Sequence, residues 1–297
     1  MASPDGIERV VVGYDASDGA NAAAAFGLWL TAKAGVRTTI VHASPTPESA
    51  PSAGALPAAA MDVVADEAAW QRRLDALREY APDPGPIETR VVRGGPAGAL
   101  IATALEARAD VILVGSHGTG AIREAFLGSV SAQLLSHAPC SAMVFREGAL
   151  GVPATRARAV VVGVDGSPGA RLALHVAQGL AVPLGAALVL VHAHDLHVPF
   201  VSQPPAALRD ELRADAEDVL RRARATIAAP IDSVVEEIHD GRAREALVSA
   251  CEQHAPALLV VGCRGRGGFE GLMLGSTSRW VAGHAPCPVV VARPRRG

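Results

Sequence analysis

Two kinds of hydrophobic pattern alternate along the chain. Short runs rich in β-branched residues, such as VVVG at 10–13 and VILVG at 111–115, are apolar throughout. Between them lie longer segments in which apolar residues recur at helical spacing, as in Asp18–Ala34. Strands that are apolar on both faces are typical of parallel sheets covered by helices on both sides. The succession of strand, helix and strand therefore predicts a doubly wound α/β sheet with right-handed crossovers.

The first half of the chain contains five predicted strands and four predicted helices. The strands are Val10–Tyr14, Thr38–His42, Glu88–Arg93, Val111–Val114 and Ala142–Arg146, and the helices are Asp18–Ala34, Val63–Tyr80, Pro96–Ala107 and Ser129–His137. The segment Ser44–Ala60 and its counterpart Asp195–Pro205 exceed the usual connection length, and we expect surface loops there.

The pattern occurs twice. VVVGYDAS at 10–17 returns as VVVGVDGS at 160–167, and DVILVGSHGTG at 110–120 returns as ALLVVGCRGRG at 257–267. Corresponding residues lie a nearly constant distance apart in the sequence: 150 positions for Asp15 and Asp165, and 147 for Gly115 and Gly262. A whole domain is therefore duplicated. We predict a first domain at 1–147, a linker at 148–157 and a second domain at 158–297.

Acidic residues end the first strand of each half. Asp15 and Asp165 follow Gly13 and Gly163, at the edge where open α/β sheets bind ligands. A carboxylate there could accept hydrogen bonds from ribose hydroxyls or an adenine amine. Alternatively the aspartates cap the next helix, but serines two residues later can take that role, which would leave the carboxylates free.

A glycine-rich loop ends the fourth strand of each half, with the spacing G-x-x-G-x9-G-S. The loops comprise Gly115, Ser116, His117, Gly118, Thr119, Gly120, Gly128, Ser129 and Val130 in the first half, and Gly262, Cys263, Arg264, Gly265, Arg266, Gly267, Gly275, Ser276 and Thr277 in the second. Glycine lets the backbone approach an anion closely, and the next helix offers free N–H groups at its N-terminus. Ser129 and Ser276 could cap that helix or donate a hydroxyl group to phosphate. One such loop could equally be a surface turn; two favour anion binding, although common descent also permits a structural role.

Several other classes of protein are disfavoured. No P-loop motif G-x-x-x-x-G-K-[ST] occurs, and the G-x-G-x-x-G match at Gly265 fails because Glu270 replaces the last glycine. A net charge of −3 and 3% aromatic residues argue against nucleic-acid binding. Leu172–Val191 lacks charged residues but reads as a helix, a turn and a strand, so no membrane span is expected. No signal peptide and no CxxC pair occur, which favours the cytoplasm.

These motifs resemble the universal stress protein family in its tandem two-domain form, over essentially the whole chain. The resemblance implies Rossmann-like (adenine nucleotide alpha hydrolase-like) domains with five parallel strands in the order 3-2-1-4-5. It also implies binding of ATP or another adenine nucleotide, with or without Mg²⁺, and a homodimer. By motif, Asp15 and Asp165 would contact the ribose or adenine, and the backbone at Ala43 and Ala193 the adenine edge. The strand ends Val114 and Val261, together with the glycine-rich loops, would line the ribose and phosphate path.

The two halves differ in charge at these loops. His117 stands where the second half has Arg264; counting charged residues, 116–127 is neutral and 263–274 carries +1. We therefore expect the second half to bind nucleotide at least as tightly as the first.

Three functions fit the sequence. The leading one is a non-enzymatic nucleotide sensor in the stress response, read by a regulatory protein partner; the others are a slow ATPase and a structural dimer with vestigial pockets. Cys263, beside Arg264, is a candidate redox-active thiol. His42 and His192 are expected to form local hydrogen bonds at the end of the second strand.

Overall fold

The computed structural model describes residues 6–44, 67–79, 81, 86–118, 127–146, 159–194, 205–266 and 273–296. The chain divides into two compact units that correspond to the two halves of the repeat. The predicted loops at 45–60 and 195–204, the linker at 148–157, and the candidate residues Thr119, Gly120 and Gly267 lie outside the described residues.

The first unit contains the predicted succession of strands and helices. Its strands are β1 (Arg9–Gly13), β2 (Arg37–Ser44), β3 (Ile87–Arg93), β4 (Val111–Gly115) and β5 (Ser141–Phe145), and its helices are α1 (Asp18–Ala34), α2 (Glu67–Glu79), α3 (Pro96–Ala107) and α4 (Ser129–His137). The predicted strands are confirmed to within two residues at each end.

The second unit repeats this succession. Its strands are β6 (Ala159–Gly163), β7 (Ala187–His194), β8 (Val234–Asp240), β9 (Leu258–Gly262) and β10 (Val289–Ala292), and its helices are α5 (Pro168–Leu184), α6 (Ala206–Arg224), α7 (Ala243–His254) and α8 (Ser276–His284). The uncharged segment 172–191 forms α5, a turn and β7, as predicted. No helix in the described parts of the chain is both long and apolar enough to cross a membrane.

All strand pairs within each unit are parallel. The order is β3-β2-β1-β4-β5 in the first unit and β8-β7-β6-β9-β10 in the second, which confirms the predicted order 3-2-1-4-5. The central strand β1 pairs with β2 on one side and β4 on the other, so the strand order reverses between β1 and β4. The crevice for a ligand is therefore expected above this pair in the first unit, and above β6 and β9 in the second.

Glycines allow the first helix of each unit to approach this crevice closely. A Cβ atom on Gly115 would lie 2.9 Å from the backbone nitrogen of Ala20, and one on Gly262 would lie 2.5 Å from the carbonyl carbon of Gly169. Any larger residue at Gly115 or Gly262 would push α1 or α5 away from the strand. The glycines thus fix the helix N-termini next to the carboxyl ends of the strands.

Candidate functional site

Each unit has a cavity at the carboxyl ends of its strands. The first has a volume of about 530 Å³ and the second about 600 Å³. The ends of the central strands, the glycine-rich loop and the N-terminal turns of three helices form the walls. Both volumes fall within the range of small-molecule sites.

The predicted site residues converge on these two cavities. The first is lined by Gly13, Asp15, Ala43, Val114, Gly115, Ser116, His117, Gly118, Gly128, Ser129 and Val130. The second is lined by Gly163, Asp165, Ala193, Val261, Gly262, Arg264, Gly265, Arg266, Gly275, Ser276 and Thr277.

Cys263 is a predicted site residue that the structure describes but that does not line the second cavity. Its side chain is buried, its backbone N–H donates to the carbonyl of Ala292, and its own carbonyl accepts from the N–H of Gly275. Cys263 therefore does not share the cavity with the other described candidates, because its side chain is buried in the protein interior at the base of the loop. The same burial removes the basis for a redox-active thiol there.

The two aspartates line the cavities but are not free. In the first unit, Oδ1 of Asp15 accepts hydrogen bonds from the backbone nitrogen of Ser17 at 3.0 Å and from its Oγ at 2.6 Å. In the second, Oδ1 of Asp165 accepts from the nitrogen of Ser167 at 2.9 Å, and Oδ2 accepts from the nitrogen of Arg266 at 3.0 Å. The serines do cap α1 and α5, as predicted. The expectation of unengaged carboxylates is wrong, because each aspartate also organises its own turn.

The carboxylates also determine which residue the glycine-rich loop can carry. A Cβ atom on Gly118 would lie 2.6 Å from Oδ2 of Asp15, and one on Gly265 would lie 2.5 Å from Oδ2 of Asp165. The loop backbone thus passes directly over the acid, at a distance that only glycine permits.

The far end of each loop leads into a helix without a side-chain cap. Gly128 and Gly275 are the N-cap residues of α4 and α8, and among the residues that the structure describes no side-chain cap bond is made at either position. Ser129 and Ser276 are the first helical residues, so their predicted alternative role as caps is wrong. The first-turn N–H groups therefore remain available at the cavity wall, which is the usual arrangement for binding an anion.

Hydrogen bonds fix both ends of the loops. The N–H of Gly128 donates to the carbonyl of Ser116 at 2.7 Å. The N–H of Gly275 donates to the carbonyl of Cys263, also at 2.7 Å. Ser131 Oγ adds a second bond to the carbonyl of Ser116 at 2.9 Å. The helix N-terminus is thereby held against the end of the strand, which pre-organises the anion site.

Two histidines line the cavities in a neutral form. Nδ1 of His42 lies 2.9 Å from the carbonyl of Tyr14, and Nδ1 of His192 lies 2.7 Å from that of Val164. Since a carbonyl only accepts, Nδ1 carries the hydrogen in each ring. Burial lowers the pKa of both histidines below the usual value. The predicted local hydrogen bonds are confirmed, whereas the position of both rings in the cavity walls was not anticipated.

Sequence reasoning missed the wall supplied by the third helix of the first unit and its counterpart in the second. Pro96 and Leu100 of α3 line the first cavity, and Ala243 and Leu247 of α7 line the second. Leu100 and Leu247 occupy equivalent positions of the repeat, one turn into their helices. Aligning the sequences of the two halves places a leucine at both positions. A shared leucine indicates a hydrophobic position but does not indicate that it lines a cavity.

The second cavity carries more positive charge at its rim. Arg264 and Arg266 line it, where His117 lines the first. The guanidinium of Arg266 packs over Gly166, and a Cβ atom there would lie 3.0 Å from its Nη2. The equivalent residue in the first unit is Ala16, which adopts the same left-handed backbone conformation. Among the described residues, no group of three metal-ligating side chains occurs.

Comparisons with known proteins agree with this architecture. The universal stress protein family profile matches residues 6–146 and 157–293. The chain is 30% identical, over 99% of both sequences, to the universal stress protein Rv2005c of Mycobacterium tuberculosis. It is 34% identical to Rv2623 of the same organism, over 70% of this chain and 72% of that protein.

Solved structures share the fold over nearly the whole chain. A universal stress protein from Archaeoglobus fulgidus superimposes with a TM-score of 0.63 at 20% identity, covering 96% of this chain and 98% of that one. One from Pseudomonas aeruginosa, described as a putative universal stress protein, gives a TM-score of 0.65 at 17% identity, covering 97% and 94%. The two profile matches and the full-length relative show that the chain belongs to the universal stress protein family.

Proposed function

We propose that each half binds an adenine nucleotide, with ATP as the preferred candidate, and that the protein is a non-enzymatic nucleotide sensor. The observation that carries the proposal is the combination of groups in each cavity. An acidic side chain, a glycine loop passing over it and an uncapped helix N-terminus lie around one space of about 530 or 600 Å³. These groups match the sugar and phosphates of a nucleotide.

The residues present fit such a ligand end to end. The first-turn N–H groups at Ser129 and Ser276 would hold phosphate oxygens, and the loop glycines would admit the phosphate chain close to the backbone. The aspartates would accept hydrogen bonds from ribose hydroxyls. The adenine would lie toward Ala43 and Ala193 at the ends of β2 and β7, against the neutral histidines.

The engagement of the aspartates favours binding over hydrolysis. Both carboxylate oxygens of Asp165 already accept backbone hydrogen bonds, which suits a positioning role better than a metal ligand or a general base. A magnesium ion would then arrive with the nucleotide phosphates. We place the protein in the cytoplasm as a homodimer whose nucleotide occupancy is read by a regulatory protein partner.

The nucleotide content of the purified protein tests this proposal. Protein prepared without added ligand is heat-denatured, and the released small molecules are identified by mass spectrometry. We expect adenine nucleotides, and calorimetric titration of the emptied protein should show ATP binding. Absence of released nucleotide together with absence of binding would favour the structural dimer.

Phosphate release distinguishes the sensor from a slow ATPase. The sensor predicts no turnover above that of an Asp165→Asn variant, which retains one hydrogen-bond acceptor but loses the charge. Turnover that this substitution abolishes would establish an enzyme instead. Asp18→Ala is the matched control, because Asp18 is an exposed acid in the first turn of α1 that does not line the cavity.

A further inference from the structure

A histidine–aspartate pair lies at the end of β7, where Ala193 and His194 line the second cavity. Nε2 of His194 lies 2.9 Å from Oδ1 of Asp240, and the two residues are direct partners in the β7–β8 ladder. The His194 side chain is only 9% exposed and lines the cavity next to Ala193. This pair has no part in the phosphate-binding features described above.

Asp240 fixes the tautomer of the His194 ring. A carboxylate only accepts hydrogen bonds, so the proton of the neutral ring must reside on Nε2. Nδ1 then carries a bare lone pair and can only accept. His192 has the opposite tautomer, because its Nδ1 donates to the carbonyl of Val164.

Nδ1 of His194 lacks a partner. It is buried, and it forms no hydrogen bond within the part of the chain that the structure describes. Buried polar groups are almost always paired, and an unpaired one is a candidate contact for a ligand. The group that could satisfy it is an N–H or O–H donor at this end of the cavity.

The first unit lacks this arrangement. Ser44 stands at the position of His194, and its ladder partner is Arg93, at the position of Asp240. Arg93 forms an ion pair with Glu67 at the surface. The histidine–aspartate pair therefore distinguishes the second cavity from the first.

We infer that His194 makes the second cavity selective for a purine that carries an amino group at its six-position. Nδ1 accepts a hydrogen bond from the amino group of adenine, and the lone pair repels the carbonyl oxygen that a 6-oxo purine presents there. Ser44, at the equivalent position of the first unit, does not line the first cavity, so this residue imposes no such choice there. The inference rests on the proposed nucleotide binding and names the base that the second cavity selects.

Calorimetric titration of the full chain with ATP and with ITP tests the inference. His194→Ser reproduces the residue of the first half and removes the Nδ1 lone pair, so we expect it to weaken ATP binding at one of two sites by about fivefold to tenfold and to strengthen ITP binding there. Asp240→Asn is the sharper variant, because an amide can donate to Nε2 and so let Nδ1 donate instead. We expect it to improve ITP binding relative to ATP. His175→Ser, an exposed substitution on α5, should change neither affinity.

The outcomes separate two kinds of failure. Equal losses for ATP and ITP in His194→Ser would mean that the ring only packs against the ligand, and unchanged ATP affinity would mean that it makes no contact; either result overturns the selectivity. If the unmodified protein binds neither nucleotide, the proposed function itself fails.

Discussion

At the scale of single residues, polar side chains in the cavity walls stabilise local turns as well as line the cavity. Asp15 bonds to Ser17, which caps α1, and the buried His42 bonds to the carbonyl next to that acid. The polar groups are therefore oriented before a ligand arrives. Such pre-organisation lowers the entropy cost of binding.

The buried histidines give the fold a defined pH dependence. Burial lowers the pKa of His42 from its reference value of 6.5, so the unfolded chain binds the proton more tightly than the folded one. The contribution of neutral His42 to the free energy of unfolding is fully present above pH 6.5. It is lost as the pH falls through the pKa of His42 in the folded state.

His42→Gln should flatten this dependence, since glutamine can still donate to the carbonyl of Tyr14 but does not titrate. Urea unfolding at several pH values between about 5 and 7.5 measures it. If the free energy of unfolding changed with pH in the same way for the unmodified protein and for His42→Gln, the assignment of a neutral His42 ring would be wrong.

At the scale of elements, the close contact between helix and strand is as important as the polar groups. A Cβ atom on Gly169, in the first turn of α5, would collide with the carbonyl oxygen of Arg264. That oxygen belongs to the loop backbone, which cannot move aside as a flexible side chain would. The glycine therefore couples the position of α5 to the glycine-rich loop.

We predict that Gly169→Ala destabilises the protein by about 1–3 kcal/mol, the usual cost of overpacking. Gly98→Ala is the control, because nothing lies within 4 Å of a Cβ atom there and alanine favours the interior of α3. Urea unfolding should show opposite signs for the two variants. A neutral result for Gly169→Ala would mean that helix and loop are not tightly coupled.

The strands and helices could be predicted because their signals are local. Uninterrupted apolar runs such as Val111–Val114 identify buried parallel strands, and Ser17 with Ser167 mark helix starts. The hydrogen bond from the Arg266 N–H to Asp165 could not be predicted, because it depends on a loop about 100 residues away meeting the end of the first strand of the unit. The inward direction of Cys263 depends on how its backbone pairs with β10, which no local pattern encodes.

At the scale of the whole molecule, one architecture is used twice with different chemistry at the same positions. The second unit places Gly166 where the first has Ala16, and this leaves room for Arg266 to pack across the turn. His194 replaces Ser44 at the end of the second strand of the unit. We therefore expect two binding events per chain that differ in affinity, and not two equal ones.

The ranking of the two cavities follows from their charges. Arg264 and Arg266 line the second cavity, and a polyphosphate gains more from two guanidinium groups than from the His117 ring. Asp165→Ala should therefore remove the tighter site and lower the apparent ATP affinity by about tenfold or more, whereas Asp15→Ala should remove only the weaker one. Calorimetric titration should count two sites in the unmodified chain and one in each variant. A greater loss from Asp15→Ala would show that the rim arginines do not determine affinity.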